Sequence, residues 1–152
     1  EIGSGLVGSE MCIRDSPYFN TFGGNPVSIA AAQAVLKYIK DENLQEHCKK
    51  AGGALLKALK EVQERHPESV GDVRGAGLFL GFEFVKNDGN KTPDKDMALN
   101  VIEMLRDEHI LTSVIGHYGN ILKLRPPMVF SENDIDWFAT SLDKCITKLE
   151  NK

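Results

Sequence analysis

Arg74-Gly75-Ala76-Gly77-Leu78-Phe79-Leu80-Gly81-Phe82-Glu83-Phe84 is the stretch on which the fold turns. Leu78, Leu80, Phe82 and Phe84 recur at every second position, so a strand here has one wholly apolar face. The preceding Val70-Gly71-Asp72-Val73-Arg74-Gly75-Ala76-Gly77 reads as a glycine-rich approach to that strand. Its glycines look superficially like a nucleotide loop, but they precede a strand instead of following one. A dinucleotide fingerprint is therefore rejected, and close backbone approach is the expected use of these glycines.

Upstream, Asn25 is a good N-cap and Pro26 fits the first helical position of a helix running to Lys40. Ser28-Ile29-Ala30-Ala31-Ala32-Gln33-Ala34-Val35-Leu36 is small and apolar nearly all round, which predicts a helix packed on most sides. The helix breaks at Asp41-Glu42-Asn43. A second follows, with Leu44, Cys48, Leu55, Leu59 and Val62 on one stripe and His66-Pro67 at its end. Downstream of the strand, Asn87-Asp88-Gly89-Asn90 turns the chain into a helix over about residues 94–108, striped by Met97, Val101 and Leu105. Short strands are expected at residues 110–115 and 120–124 around the loop Gly116-His117-Tyr118-Gly119, with Pro126-Pro127 stopping further pairing. Ser131 then caps a last helix, with Asp134 completing a capping box and Ile135, Phe138, Leu142, Ile146 and Leu149 facing inward. The expected order from residue 27 is α-α-β-α-β-β-α. That is an α+β module whose small antiparallel sheet is covered on one face by helices.

The 152 residues suffice for one ordinary domain, and 41% hydrophobic against 26% charged residues allow a real core. With 22 acidic and 18 basic residues the formal charge is -4, which argues against a nucleic-acid backbone binder. No apolar run approaches the roughly 20 residues that span a bilayer, and no basic-then-apolar leader opens the sequence. Cys12, Cys48 and Cys145 are widely spaced, so neither a disulfide framework nor a zinc site is expected, and a reduced, intracellular setting follows. Residues 1–16 show no helical or strand periodicity, and residues 4–16 resemble translated sequencing-library adapter. They are set aside as a non-native tract. The chain opens on Glu1 rather than Met, which predicts a piece of a longer reading frame.

Few residues stand out chemically. Thr21, ahead of Gly23-Gly24 and a helix start, is either an ordinary turn residue or a phosphate contact at a positive helix end. Lys123 lies between Leu122 and Leu124 on the opposite strand face, either as a solvated cation on an edge strand or as an anion partner; Arg125 alternates onto the same face. His117 reads as an exposed loop residue or a substrate contact, and Cys48 as packing rather than nucleophile. No Ser-His-Asp order, paired-carboxylate signature or metal-ligand spacing is present.

Three motifs in order carry a resemblance. Tyr18-Phe19-Asn20-Thr21-Phe22-Gly23-Gly24-Asn25-Pro26, Arg74-Gly75-Ala76-Gly77-Leu78-Phe79-Leu80-Gly81 and Gly119-Asn120-Ile121-Leu122-Lys123-Leu124-Arg125-Pro126-Pro127-Met128 are similar to the C-terminal part of class III pyridoxal-phosphate (PLP) aminotransferases. Within that class the chain resembles most the branch holding ethanolamine-phosphate and 5-phosphohydroxy-lysine phospho-lyases and alanine–glyoxylate aminotransferase 2. The resemblance implies a fold-type-I homodimer with active sites at the subunit interface. On these motifs, residues 17–43 are expected to be an interface loop and linking helix from the end of a large domain, and residues 44–152 the C-terminal small domain. The resemblance implies that Thr21 reaches the PLP phosphate of the partner subunit. It also implies an amine or amino-acid substrate, with neither nucleic acid nor membrane as partner, and a mitochondrial or cytoplasmic setting.

Aminotransferases of this class that grip a substrate carboxylate carry arginine three residues before the Pro-Pro pair, where guanidinium meets carboxylate bidentately. Here Lys123 stands there, as in the phospho-lyases, and is the substrate-binding candidate. The resemblance favours a phospho-lyase releasing phosphate and ammonia from a phosphorylated amine. The alternatives are a true aminotransferase of the alanine–glyoxylate type and, from another class, a non-catalytic α+β binding module. The lysine that carries the cofactor as a Schiff base, the acid that pairs with the pyridinium nitrogen and the ring-stacking residues lie upstream of Thr21 in this family. No catalytic residue is therefore assigned in this chain, and the piece alone is expected to be inactive.

Overall fold

Leu80, Phe82 and Phe84 all turn to one side of their strand and are buried to within 3% of completeness, as their alternation requires. The computed structural model describes residues 24–151, which divide between Asp41 and Glu42 into two units. Thr21 lies outside the described residues, as do the whole tract 1–16 and Cys12.

The first unit contributes helix α1 (Pro26–Asp41). The Asn25 side chain accepts from the Ser28 backbone N–H at 2.9 Å, so the expected cap is in place with Pro26 first in the helix. Among the described residues α1 buries none of its side chains. Val27, Ile29, Val35, Leu36 and Tyr38 all stand exposed.

The second unit holds α2 (Leu44–Arg65), β1 (Val70–Ala76), β2 (Phe79–Phe84), α3 (Lys95–Asp107), β3 (Ser113–Ile115), β4 (Ile121–Leu124) and α4 (Glu132–Glu150). The sheet runs β1-β2-β4-β3 and is antiparallel throughout. Leu55, Leu59 and Val62 of α2, Ala98, Val101 and Leu105 of α3, and Ile135, Leu142 and Ile146 of α4 form one core with Val73, Leu80, Phe82, Phe84, Leu122 and Leu124 of the sheet. All three helices therefore cover the same sheet face. The Phe82 and Phe84 rings meet edge to face with centroids 5.3 Å apart.

Two helix starts follow from single side chains. Asp94 accepts from the Met97 N–H at 2.9 Å, and at α4 the Ser131 hydroxyl and the Asp134 carboxylate satisfy each other's backbone N–H groups in the expected box. The Ser131 hydroxyl, donating to Asp134 Oδ2 at 2.6 Å, and then the Ser131 N–H hold the Asp134 carboxyl below its ordinary pKa.

The expected order needs one strand more. The glycine-rich approach is itself β1, a strand antiparallel to β2, so the order is α-α-β-β-α-β-β-α. Period-two reading fails there because the register shifts between Val70 and Asp72, and the extra residue lets Val70 and Val73, three apart, both face the core. β3 starts only at Ser113, not at Ile110, although the Thr112 hydroxyl still donates to the Lys123 carbonyl at 3.0 Å. On the stripes, Cys48 and Leu149 are half-buried, and Ala51 and Gly52 take the tighter places on α2.

Gly52 has a definite cause. A Cβ there would lie 2.1 Å from the carbonyl oxygen of Gly77, so α2 rests directly on the β1–β2 hairpin. Gly77, at φ +53, occupies the first of the two hairpin positions, where a left-handed residue is wanted. Gly53, by contrast, faces open space. Gly52→Ala should cost about 1–3 kcal/mol by overpacking. Gly53→Ala should instead be neutral or stabilise by up to about 1 kcal/mol. Chemical-denaturation midpoints of the two variants test the contact directly.

Candidate functional site

Because Leu122 and Leu124 belong to the helix-covered core, Lys123 between them belongs to the other sheet face. The expectation of an edge strand is corrected: β4 lies between β2 and β3, with Lys123 paired to Gly81 on one side and Ser113 on the other. The pairing order could not be read from the strand itself. It follows from β3 and β1 taking the two outer places. Among the described residues Lys123 has no carboxylate within ion-pair distance.

Across the open face the register sets out two rows. Arg74, Gly81, Lys123 and Ser113 form one, and Asp72, Glu83, Ile121 and Ile115 the next. One guanidinium nitrogen of Arg74 donates to Asp72 Oδ2 and to Glu83 Oε2, both at 2.6 Å. The hydrogen bond to Glu83, then that to Asp72, raises the Arg74 pKa further, so its charge is permanent. The other Glu83 oxygen lies 3.4 Å from Asn120 Nδ2, which also donates to the Phe84 carbonyl at 2.8 Å. Asn120 is one of three buried polar residues here, and it ties the end of β2 to the start of β4. Sequence reasoning quoted Arg74 and Asn120 only within motifs. The usable signal was the i, i+2 pair Asp72/Arg74 opposite Glu83, and it was invisible while β1 was not recognised as a strand.

A cleft of about 550 Å³ adjoins the end of β4. Residues 109–113 and 123–127 line it together with Leu55, Phe130, Trp137 and Phe138, so its walls are largely apolar. His117 stands outside this cleft, exposed and edge to face with Tyr118 at 4.8 Å. Cys48 is half-buried, its thiol 3.6 Å from the Met128 carbonyl, and burial pushes the Cys145 thiol up, away from the thiolate a nucleophile needs. No described cluster of His, Cys, Asp and Glu could hold a metal ion, and no described helix is long and apolar enough to cross a membrane.

A second polar cluster fastens the ends of α2 and α4. His66 is buried, with Nδ1 2.7 Å from Glu150 Oε2 and Nε2 3.2 Å from Asp143 Oδ1, while Arg65 Nε donates to the same Asp143 oxygen at 2.7 Å. Burial works to raise the Asp143 pKa, but the bond to and charge of Arg65, with His66 behind it, hold it below the ordinary value.

Between the lowered folded pKa and the unfolded value near 3.9, the unfolded chain binds more protons. The stabilisation from Asp143 is thus complete above that window and lost as pH falls through it. Asp143→Asn should lower the denaturation midpoint at pH 7 and flatten its decline between pH 5 and pH 3; an unchanged acid slope would remove this account.

The aminotransferase class-III family model matches residues 3–146. Ethanolamine-phosphate phospho-lyase homolog 1 of Caenorhabditis elegans is 46% identical over 131 residues, 86% of this chain and 28% of its own length. The mitochondrial alanine–glyoxylate aminotransferase 2 homolog 2 of Arabidopsis thaliana is 39% identical over 132 residues, 87% of this chain and 28% of its own. A phospholyase from Arthrobacter, solved in complex with phosphoethanolamine, superposes with a TM-score of 0.82 at 36% identity, covering 91% of this chain and 33% of that one. The chain thus spans under a third of the length of these relatives.

Proposed function

The chain belongs to the class-III aminotransferase family, whose members are PLP enzymes, and on that premise we propose that it is the C-terminal portion of a phospho-lyase that releases phosphate and ammonia from a phosphorylated amine. The observation that carries this reading is Lys123, an ammonium with no ion-pair partner among the described residues, on an inner strand of the open sheet face. A compact ammonium suits a phosphate, whereas the planar guanidinium fork suits a carboxylate. The relatives point the same way: the Caenorhabditis protein is named a phospho-lyase homolog, and the Arthrobacter structure holds phosphoethanolamine. The Arabidopsis relative keeps the alanine–glyoxylate aminotransferase in view as the second reading. The third, a non-catalytic binding module, has no named relative among these proteins, all of which are enzymes by name.

In the phospho-lyase reading the cofactor supplies an electron sink for the carbanion left when a proton is removed from substrate. This chain contributes contacts. Thr21 donates to the phosphate of PLP in the partner subunit of a homodimer. This reading of Thr21 rests on its place in the motif at residues 18–26, which matches the family's pattern. Lys123 holds the substrate phosphate. The dimer reading is supported by the exposed apolar side chains of α1. The cofactor-bearing lysine belongs to the part of the family's length that this chain does not span, so the 152 residues alone are inactive. The mitochondrial reading follows the name of the Arabidopsis relative, with the cytoplasm as alternative.

The complete enzyme containing this stretch should release phosphate from phosphoethanolamine and should not transfer nitrogen from alanine to glyoxylate; the reverse pattern would select the aminotransferase. Thr21→Ala should weaken PLP retention by about 10–100-fold, the worth of one hydrogen bond to a charged group. PLP absorbance after gel filtration reads this.

A further inference from the structure

Among the described residues Lys123 has no ion-pair partner, although a carboxylate stands one diagonal away. Glu83 is two residues along β2 from Gly81, the direct partner of Lys123, and both side chains occupy the open face. Diagonal neighbours on one sheet face lie about 7–8 Å apart, within reach of long side chains. Gly81 itself adds no side chain there, and the Ile121 Cγ2 methyl fills the gap from β4, 3.2 Å from where a Gly81 Cβ would stand, so a Glu83–Lys123 pair has to pass over that methyl. A glutamate and a lysine so placed would ordinarily pair across the strands. Here Glu83 is held elsewhere: Oε2 accepts from Arg74 at 2.6 Å, and Oε1 faces Asn120 Nδ2 at 3.4 Å. Arg74 reaches it from the far side of Gly81 and uses the same nitrogen to hold Asp72.

We propose that Arg74 is a positioning residue for the anion site, withholding Glu83 from Lys123 so that the ammonium stays free for the phosphate of a phosphorylated amine. This rests on the reading of Lys123 given above. Two carboxylates share one guanidinium nitrogen of Arg74, so its charge is already offset within the sheet face. Its charge is permanent, so the restraint does not relax within the pH range of an enzyme. With Arg74 gone, Glu83 loses its stronger partner and Lys123 becomes the cation within diagonal reach. The substrate phosphate must then compete with a carboxylate of the protein for a single ammonium.

The test uses the complete holoenzyme containing this stretch, with phosphoethanolamine as substrate and inorganic phosphate as competing anion. Arg74 is half exposed, and exposed ion pairs contribute little to stability, so Arg74→Met retains the fold. Arg74→Met should raise both the KM and the inhibition constant of phosphate by about tenfold with kcat little changed, the scale of one added charge pair. Adding Glu83→Gln should restore both constants to within about threefold, because the neutral amide no longer competes for the ammonium.

If the double variant stays as impaired as Arg74→Met, Arg74 acts by some route other than Glu83 and the proposal is overturned. If Lys123→Met raises KM while Arg74→Met does not, the anion site stands and only the positioning role fails. If neither variant changes KM or phosphate inhibition, the reading of Lys123 itself fails, and the proposal fails with it.

Discussion

Burial of one sheet face under three helices is the constraint from which the rest of the second unit follows. Side chains on a strand alternate, so committing Leu80, Phe82 and Phe84 of β2 to the core sends Gly81 and Glu83 the other way. The same rule, applied to Leu122 and Leu124, places Lys123 beside them. Sliding β4 by one residue against β2 would drive an ammonium into the hydrocarbon of α2 and α3 and expose two leucines. Hydrophobic burial thereby fixes the register, and the register fixes the charges. The polar face is in this sense a by-product of the apolar one, whose side chains decide every position on it.

Most of the architecture was legible because it rests on local rules. The stripe of α2, the Asp94 and Ser131 helix starts and the apolar face of β2 each need only a few neighbouring residues to be recognised. β1 escaped because a bulge at Val70–Asp72 replaces a spacing of two by one of three, and because Gly71 and Gly75 weaken any strand signal. The inner place of β4 escaped for another reason: strand order depends on contacts between segments up to about forty residues apart, which no local pattern encodes. Of the candidate site, Lys123 and its face were legible from alternation alone. The engagement of Glu83 was not, since it required β1 as a strand and its register. Thr21, outside the described residues, remains a reading from motif and family.

The relatives named above share this fold and differ in chemistry, so the fold alone does not choose between elimination of phosphate and transfer of an amino group. What separates the two readings on this chain is the shape of one cation. A guanidinium needs a planar partner and a fixed approach, whereas an ammonium tolerates many, which makes its freedom from internal partners more consequential. An isolated lysine flanked by glycine and serine, on a face that also bears two carboxylates, is a more demanding arrangement than an isolated arginine would be.

The bulge that disguised β1 acts on the outside of the molecule as well. β1 is an outer strand, and an outer strand offers a row of unpaired backbone donors and acceptors to any passing extended chain. The extra residue at Val70–Asp72 interrupts that row, and charged Asp72 and Arg74 stand beside the break. Gly75, at φ +149, takes the backbone out of the ordinary strand conformation two residues before the hairpin ends it. Among the described residues, the irregular outer strand is thus a poor template for the addition of another extended chain.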